Sequence, residues 1–212
     1  MTQGKKLSKL QYMVITAVLA AIIVFLMFSG LGYIPTGFGF TITILMIPVA
    51  IGAILLGPGA GAILGTVFGL TSLATCFLGL DALGVALLAI SPWKTVIVCL
   101  VPRILVGYLC GLIFKALNGK ILKGRKTDLL SYGIASVSAA LLNTLFFFVA
   151  LWIFFGSDPA VTQYTGGSSN FFVLIGALGG INAIVEAVAC LILGTATVSY
   201  THLRAHETAA NI

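Results

Sequence analysis

The most constraining feature of this sequence is a long stretch without charge. Between Leu10 and Leu80 there is no Asp, Glu, Lys or Arg, and apolar residues predominate throughout. A helix needs only about 20 apolar residues to cross the hydrocarbon core of a bilayer. This stretch alone has room for three membrane-spanning helices, so it predicts an integral membrane protein.

The composition of the whole chain supports the same class. Of its 212 residues, 60% are hydrophobic and 8% are charged, whereas roughly a quarter of residues are charged in soluble domains. These values exclude a water-soluble enzyme and a nucleic-acid-binding module. The four cysteines lie in apolar stretches without C-x-x-C spacing, which indicates packing rather than a disulfide framework or a zinc site.

Charges and Gly/Pro clusters divide the apolar sequence into six predicted spans. They are Tyr12–Leu31, Phe38–Leu56, Ala60–Leu80, Thr95–Leu117, Leu129–Phe155 and Phe171–Ser199. We therefore predict an all-α membrane protein with six transmembrane helices, in which residues 12–197 form one membrane domain. The segment from Asp81 to Trp93 is too short to span, and we expect it to lie against the outer surface or to fold over a cavity.

Positive charges indicate the orientation, because cytoplasmic loops keep an excess of Lys and Arg. They cluster before the first span and after the fourth, at Lys5, Lys6, Lys9, Lys115, Lys120, Lys123, Arg125 and Lys126. Six spans with both termini in the cytoplasm put both clusters on the cytoplasmic face, and residues 1–11 then form a cytoplasmic N-terminal segment. A five-span alternative, with spans two and three merged into a re-entrant hairpin, would put the clusters on opposite sides.

The last residues differ from the rest of the chain. Residues 198–208 are polar, carry both histidines, and resemble translated sequencing-adapter sequence that is sometimes fused to open reading frames. We therefore expect that residues 198–212 did not evolve with the fold and that the natural C-terminus is different. The spacing of His202 and His206 would suit a helical metal site, but with such an origin it predicts none.

Two ionisable residues are predicted to lie deep in the membrane, where charged groups normally face the protein interior. At 1.5 Å per residue, Arg103 in span four lies about 14 Å and Glu186 in span six about 22 Å from the outer side. One interpretation is a buried ion pair that satisfies both charges. The other is that Arg103 points into a pocket open to the outside and binds a substrate carboxylate. Pro102 supports the pocket, because proline frees a backbone carbonyl one turn earlier and can bend a helix around a cavity.

Two amides fall at similar depth. Asn143 in span five and Asn182 in span six could donate and accept hydrogen bonds to a ligand, or could bond a neighbouring helix instead.

Small residues form stripes that allow another helix to approach closely. The stripes are Ala17-x-x-x-Ala21, Gly61-x-x-x-Gly65-x-x-x-Gly69 and Gly107-x-x-x-Gly111. We expect the glycine stripes to pack internally, while the sequence leaves the alanine stripe undecided.

Several catalytic motifs are absent from the sequence. No Gly-Lys-Ser/Thr follows the glycine-rich run from Gly57 to Gly61, so the chain has no phosphate-binding loop and should not hydrolyse ATP by itself. There is also no G-x-S-x-G or H-E-x-x-H motif. The sequence predicts no cofactor.

The order of features resembles the substrate-binding S components of energy-coupling factor (ECF) vitamin transporters, over nearly all of Lys5 to Thr197. The matching features are Ala17-x-x-x-Ala21, Leu56-Gly57-Pro58, Val101-Pro102-Arg103-Ile104-Leu105-Val106-Gly107, Leu142-Asn143-Thr144 and Gly180-Ile181-Asn182-x-x-x-Glu186. The resemblance is closest to the pantothenate and folate branch, although substrate does not follow reliably from that branch.

The resemblance implies six helices with cytoplasmic termini, in the plasma membrane of a prokaryote. It implies a vitamin pocket near the outer face, closed by the loop from Gly32 to Phe40, so that Tyr33 and Phe38 join Arg103, Asn143, Asn182 and Glu186 as substrate-binding candidates. It further implies that Ala17 and Ala21 dock on a transmembrane coupling subunit, and that two cytoplasmic ATPases power transport. The whole binding subunit is then expected to topple in the bilayer when it delivers its cargo.

Two other functions stay open at this point. A stand-alone secondary carrier for a small carboxylate would predict inverted repeats and broken helices at matching positions, and neither is clear. An intramembrane enzyme using Glu186 as acid or base would need a second catalytic group nearby.

Overall fold

A computed structural model describes residues 8–30, 32–35, 41–117 and 125–197, with the side chains at 33–35, 41–43, 125–130 and 180–182 left aside. The described chain is helical apart from one two-stranded ribbon. Its elements are α1 (Lys9–Phe28), β1 (Tyr33–Pro35), β2 (Thr41–Thr43), α2 (Met46–Leu56), α3 (Pro58–Phe77), α4 (Ala82–Ile90), α5 (Pro92–Ala116), α6 (Arg125–Phe155), α7 (Pro159–Thr162), α8 (Phe171–Leu178) and α9 (Gly180–Ala189). A π-helical stretch, Cys190–Gly194, continues α9.

Four of these helices are long and apolar enough to cross a membrane: α1, α3, α5 and the Ser131–Phe155 part of α6. They confirm the first, third, fourth and fifth predicted spans. Helix α8 and the helical stretch Ala183–Thr197 pass the same test together, but they are bent by 57°. If this bent pair is counted as one span, the described residues contain five candidate membrane spans. The chain is therefore a membrane protein.

The prediction of a helix from Phe38 to Leu56 is wrong in its first part. Residues 41–43 form a strand that pairs antiparallel with residues 33–35, with Ile34 opposite Ile42. The β-branched run of Thr41, Ile42 and Thr43 favours extended backbone, which explains the strand. Helix α2 therefore has only 11 residues. At 1.5 Å per residue it is about 16 Å long, roughly half the thickness of a bilayer core.

Helix α2 lies at the centre of the helical bundle. Every residue from Met46 to Ile54 is buried, and the helix packs against α1, α3, α5 and α6. A helix that is apolar on all sides is buried on all sides. Hydropathy therefore identified α2 as membrane-embedded, but it could not show that protein rather than lipid surrounds it.

The sixth predicted span, Phe171–Ser199, is also not one straight helix. It breaks at Gly179, where the ring of Phe148 occupies the space that a Cβ atom would need. The missing side chain lets the backbone turn against this ring. The last residues of the predicted span, including Ser199, lie outside the described residues.

Glycine contacts hold α3 and α5 together. A Cβ atom on Gly61 would collide with the carbonyl oxygen of Gly107, and one on Gly107 would collide with that of Gly61. One and two turns further along α3, Gly65 and Gly69 lie against the carbonyl oxygens of Arg103 and Cys99. The predicted internal packing of the glycine stripes is confirmed, and it fixes the helix that carries Arg103.

Two short helices, α4 and α7, contact each other and cover one end of the bundle; we call them the cap. Asp81 caps the N-terminus of α4, and Asp158 caps that of α7. Leu87 of α4 and Val161 of α7 join an apolar cluster with side chains of α5, α6 and α8. Of the two placements expected for the segment after Asp81, the structure shows the second, folding over a cavity, because α4 lines the cavity described next.

Candidate functional site

A cavity of about 480 Å³ lies beneath the cap, between α3, α5, α6 and α9. Its polar lining consists of Ser72, Thr75, Asp81, Thr95, Arg103, Asn143, Thr144, Tyr164 and Glu186. Leu80 and Tyr164 are 69% and 39% exposed, so the cavity opens to solvent on their side, beside the cap. A concave site with apolar walls and a few convergent polar groups is the usual form of a small-molecule pocket.

The most specific feature of this cavity is Arg103, together with its neighbour Pro102. Proline has no backbone N–H, so Pro102 leaves the carbonyl of Val98, four residues earlier, without its helical donor. Nη1 of Arg103 donates a hydrogen bond to that carbonyl oxygen at 2.8 Å. The expected free carbonyl is therefore present, and it anchors the arginine itself.

Two aromatic rings contact the guanidinium group of Arg103. Its central carbon lies 4.6 Å from the ring centroid of Phe147 and 5.6 Å from that of Phe68. Such cation–π contacts are strongest where water is excluded, and Arg103 is only 8% exposed. Sequence reasoning missed both rings. One signal was available for Phe147, which follows Asn143 by one helical turn and therefore shares its face of α6.

The contacts of Arg103 favour the pocket over the ion pair. Among the residues that the structure describes, Arg103 forms no ion pair with an acidic side chain, and its buried Nε has no hydrogen-bond partner. Glu186, which is 1% exposed, lines the same cavity. The structure therefore brings both residues to one site and leaves the arginine with an unused donor.

The amide candidates differ in what can be said of them. Asn143 is 7% exposed and lines the cavity, and its Oδ1 accepts no hydrogen bond from any described group. The backbone of Asn182 belongs to α9, one turn before Glu186, but its side chain lies outside the described residues.

The two candidates in the first loop are only partly covered. Tyr33 stands in β1 without a described side chain, and Phe38 lies outside the described residues. The partner strand β2 packs against α9, the helix of Glu186. The ribbon therefore lies near the helix that carries Glu186, and the closure of the cavity by this loop stays a prediction.

Asp81 is a cavity residue that sequence reasoning did not select. Its Oδ2 accepts a hydrogen bond from the N–H of Gly84 at 3.1 Å, which caps α4. Burial raises the pKa of this carboxyl, while the N–H groups of Gly84 and Leu83 and the charge of Arg103 oppose the rise. The available signal was its place as the first charge after the long uncharged stretch.

The four cysteines are free and buried, as the packing interpretation predicts. Cys76 and Cys99 face the cavity. Within the described part of the chain, no cluster of three or more His, Cys, Asp or Glu side chains is arranged to hold a metal ion.

The alanine stripe lies on a different surface. Only Thr16, Ile23 and Met27 are buried in α1, whereas Ala17 and Ala21 are exposed on its outer face. Unlike the glycine stripes, these alanines contribute nothing to the internal packing of the described residues.

Comparison with known proteins agrees with the motifs and the cavity. A family model described as "ECF transporter, substrate-specific component" matches residues 11–196. The chain is 30% identical over 167 residues to the pantothenic acid transporter PanT of Lactococcus lactis subsp. cremoris, covering 74% of this chain and 75% of that protein. It is 34% identical over 195 residues to the pantothenate transporter PanT of Leuconostoc mesenteroides subsp. mesenteroides, covering 88% and 89%. The chain therefore belongs to the substrate-specific components of ECF transporters, and it is a transport subunit rather than an enzyme.

Proposed function

We propose that this subunit binds pantothenate in the cavity around Arg103. Both relatives described above are named as pantothenate transporters. Pantothenate carries a carboxylate at one end, an amide in the middle and hydroxyl groups at the other end. The observation that carries the proposal is the buried guanidinium of Arg103, which lines the cavity with Nε not hydrogen bonded to any described group. A carboxylate is the natural acceptor for such a donor.

The other polar groups are assigned from the same chemistry. Asn143 Oδ1 accepts from the pantothenate amide N–H, which suits an oxygen that accepts no hydrogen bond from any described residue. Glu186 and Asn182 bind the remaining polar atoms of the ligand from α9. Tyr33 and Phe38 belong to the ribbon that closes over the bound molecule.

The proposed topology has six spans and cytoplasmic termini. In this arrangement α2 with its ribbon takes the place of the second span, and the bent pair of α8 and α9 takes the place of the sixth. The distribution of Lys and Arg supports it, because residues 5–9 and 115–126 then share the cytoplasmic side. The cap faces outward, and the cavity opens to the outside of a prokaryotic plasma membrane.

Delivery requires partners in this proposal. The exposed Ala17 and Ala21 dock on a transmembrane coupling subunit, which two cytoplasmic ATPases drive. The flat, unburied face of α1 supports this role, since small residues let another helix approach closely.

Calorimetric binding of pantothenate to the purified subunit in mild detergent tests the proposal. We expect wild-type protein to bind pantothenate. It should bind pantothenol, in which a hydroxymethyl group replaces the carboxylate, at least about thirtyfold more weakly, as expected for a buried charge left unpaired. This comparison needs no mutation and is therefore independent of folding.

Arg103→Ala should remove the preference for pantothenate over pantothenol. Lys94→Ala is the matched control, because Lys94 lies over the ring of Phe155 and does not line the cavity. Equal binding of both ligands by wild-type protein, or no binding of pantothenate, would overturn the proposal.

A further inference from the structure

Side chains of opposite charge line the cavity. Arg103 is its one cationic side chain among the described residues, and it lies deep in α5. Asp81 lies near the opening, next to the exposed Leu80, on the turn that leads into the cap. In the proposed orientation, a ligand with its carboxylate on Arg103 has its other end towards the opening, where Asp81 lies.

The charge of Asp81 is not needed to cap α4. Asparagine caps a helix as well as aspartate does, and this chain uses Asn170 in that way, with the N–H of Phe172 donating to its Oδ1 at 2.9 Å. Asp81 is exposed as a whole residue, while desolvation of its carboxyl group raises the pKa and so disfavours the ionised form. An asparagine would give the same cap, so capping alone does not require the carboxylate.

We propose that Asp81 is a specificity-determining residue that restricts the cavity to ligands with a single anionic group and a neutral, hydroxyl-bearing far end. The carboxylate of Asp81 accepts hydrogen bonds from such hydroxyl groups. It repels a second anionic group at the same place. The inference rests on the proposed function, because it takes the orientation of pantothenate from Arg103.

The charges that line the cavity also favour one of the two vitamins suggested by the resemblance. Folate carries two carboxylates, whereas the described cavity lining offers one cation and places acidic side chains at Asp81 and Glu186. Asp81 thus selects against dianionic cargo, and against pantothenate that carries a phosphate on its terminal hydroxyl.

The test compares pantothenate with its phosphate ester at the hydroxyl end, using calorimetry on full-length protein. We expect wild-type protein to bind the ester at least about tenfold more weakly than pantothenate, as for a single uncompensated like charge. In Asp81→Asn, pantothenate should bind about threefold more weakly, because a neutral acceptor replaces a charged one. The ester should bind more tightly, so the two affinities move in opposite directions.

The matched control is Asp158→Asn, which changes the equivalent cap of α7 outside the cavity lining and should leave both affinities unchanged. Asp81→Ser retains a capping side chain, so it serves if the asparagine variant is poorly folded. An unchanged affinity ratio in the Asp81 variants would overturn this inference alone. Failure of wild-type protein to bind pantothenate would overturn the proposed function and this inference with it.

Discussion

At the scale of single residues, the site depends on a pair of neighbours with complementary properties. Pro102 removes a backbone donor, and Arg103 supplies a side-chain donor to the same Val98 carbonyl. The sequence predicted the freed carbonyl, since that follows from proline chemistry alone. It did not predict the acceptor role of that carbonyl or the rings of Phe68 and Phe147, because these contacts depend on side-chain direction and on the packing of three helices.

Replacing Pro102 by alanine should weaken ligand binding without lowering the stability of the protein. The new backbone N–H competes with Arg103 for the Val98 carbonyl, so the guanidinium loses its anchor. Removing a proline from a helix interior should keep or raise the melting temperature. We expect pantothenate affinity to fall roughly tenfold, the value of one hydrogen bond to a charged group. Thermal unfolding and calorimetry on the same sample check both effects, and unchanged affinity would show that the anchor has no role in binding.

Asp81 gives a prediction about pH. Its pKa is raised in the folded protein, so the folded state binds the proton more tightly than the unfolded state. The contribution of protonated Asp81 to stability is therefore complete below the usual aspartate pKa, about 3.9. It is lost as the pH rises through the raised pKa of the folded protein. Asp81→Asn should melt at a higher temperature than wild type at neutral pH, with a difference that shrinks on acidification. A difference that does not depend on pH would contradict this sign.

At the scale of elements, hydropathy located the long helices, but it did not show that the short helix α2 is surrounded by protein. Helix α2 is as apolar as a lipid-facing span, yet Met46 to Ile54 are enclosed by protein. Burial in lipid and burial in protein select similar side chains, so composition cannot distinguish them. The glycine stripes were predictable for the opposite reason, since close backbone approach between α3 and α5 requires the absence of a side chain.

The close contact between Gly61 of α3 and Gly107 of α5 provides a stability test with an internal control. Gly107→Ala puts a methyl group against the carbonyl of Gly61, where only backbone could move, and we expect a loss of about 1–3 kcal/mol. Gly176→Ala in α8 meets no atom within 4 Å and should be neutral or stabilising, by up to about 1 kcal/mol. Thermal unfolding in one detergent compares them. Equal melting temperatures would mean that the helices separate readily.

At the scale of the whole molecule, two surfaces of different character emerge. The cavity and cap occupy one end of the bundle, whereas the outer face of α1 exposes small and apolar side chains along its length. The resemblance to the family predicted a pocket and a docking face on α1; the structure shows the cavity, and the docking role of the exposed face stays a prediction.

Replacing both Ala17 and Ala21 by leucine should affect the α1 face without affecting the cavity. Bulky side chains on an exposed face leave the cavity intact, so pantothenate affinity should be unchanged. Co-purification with the coupling subunit should be lost, because the close helix approach is blocked. Ala177→Leu, on the exposed face of α8, is the control for a merely larger lipid-facing surface. Loss of pantothenate binding in the double variant would instead place these alanines in the internal packing.

The anchored arginine also bears on release. A bare guanidinium in a low-dielectric cavity would make an empty subunit unfavourable, and its cargo correspondingly hard to remove. Arg103 keeps a carbonyl and two rings as neighbours when the cavity is vacant, so departure of the ligand does not strand an unsolvated charge. The same contacts that position the group for capture thereby also stabilise it after release, as a subunit that must discharge its cargo in every cycle requires.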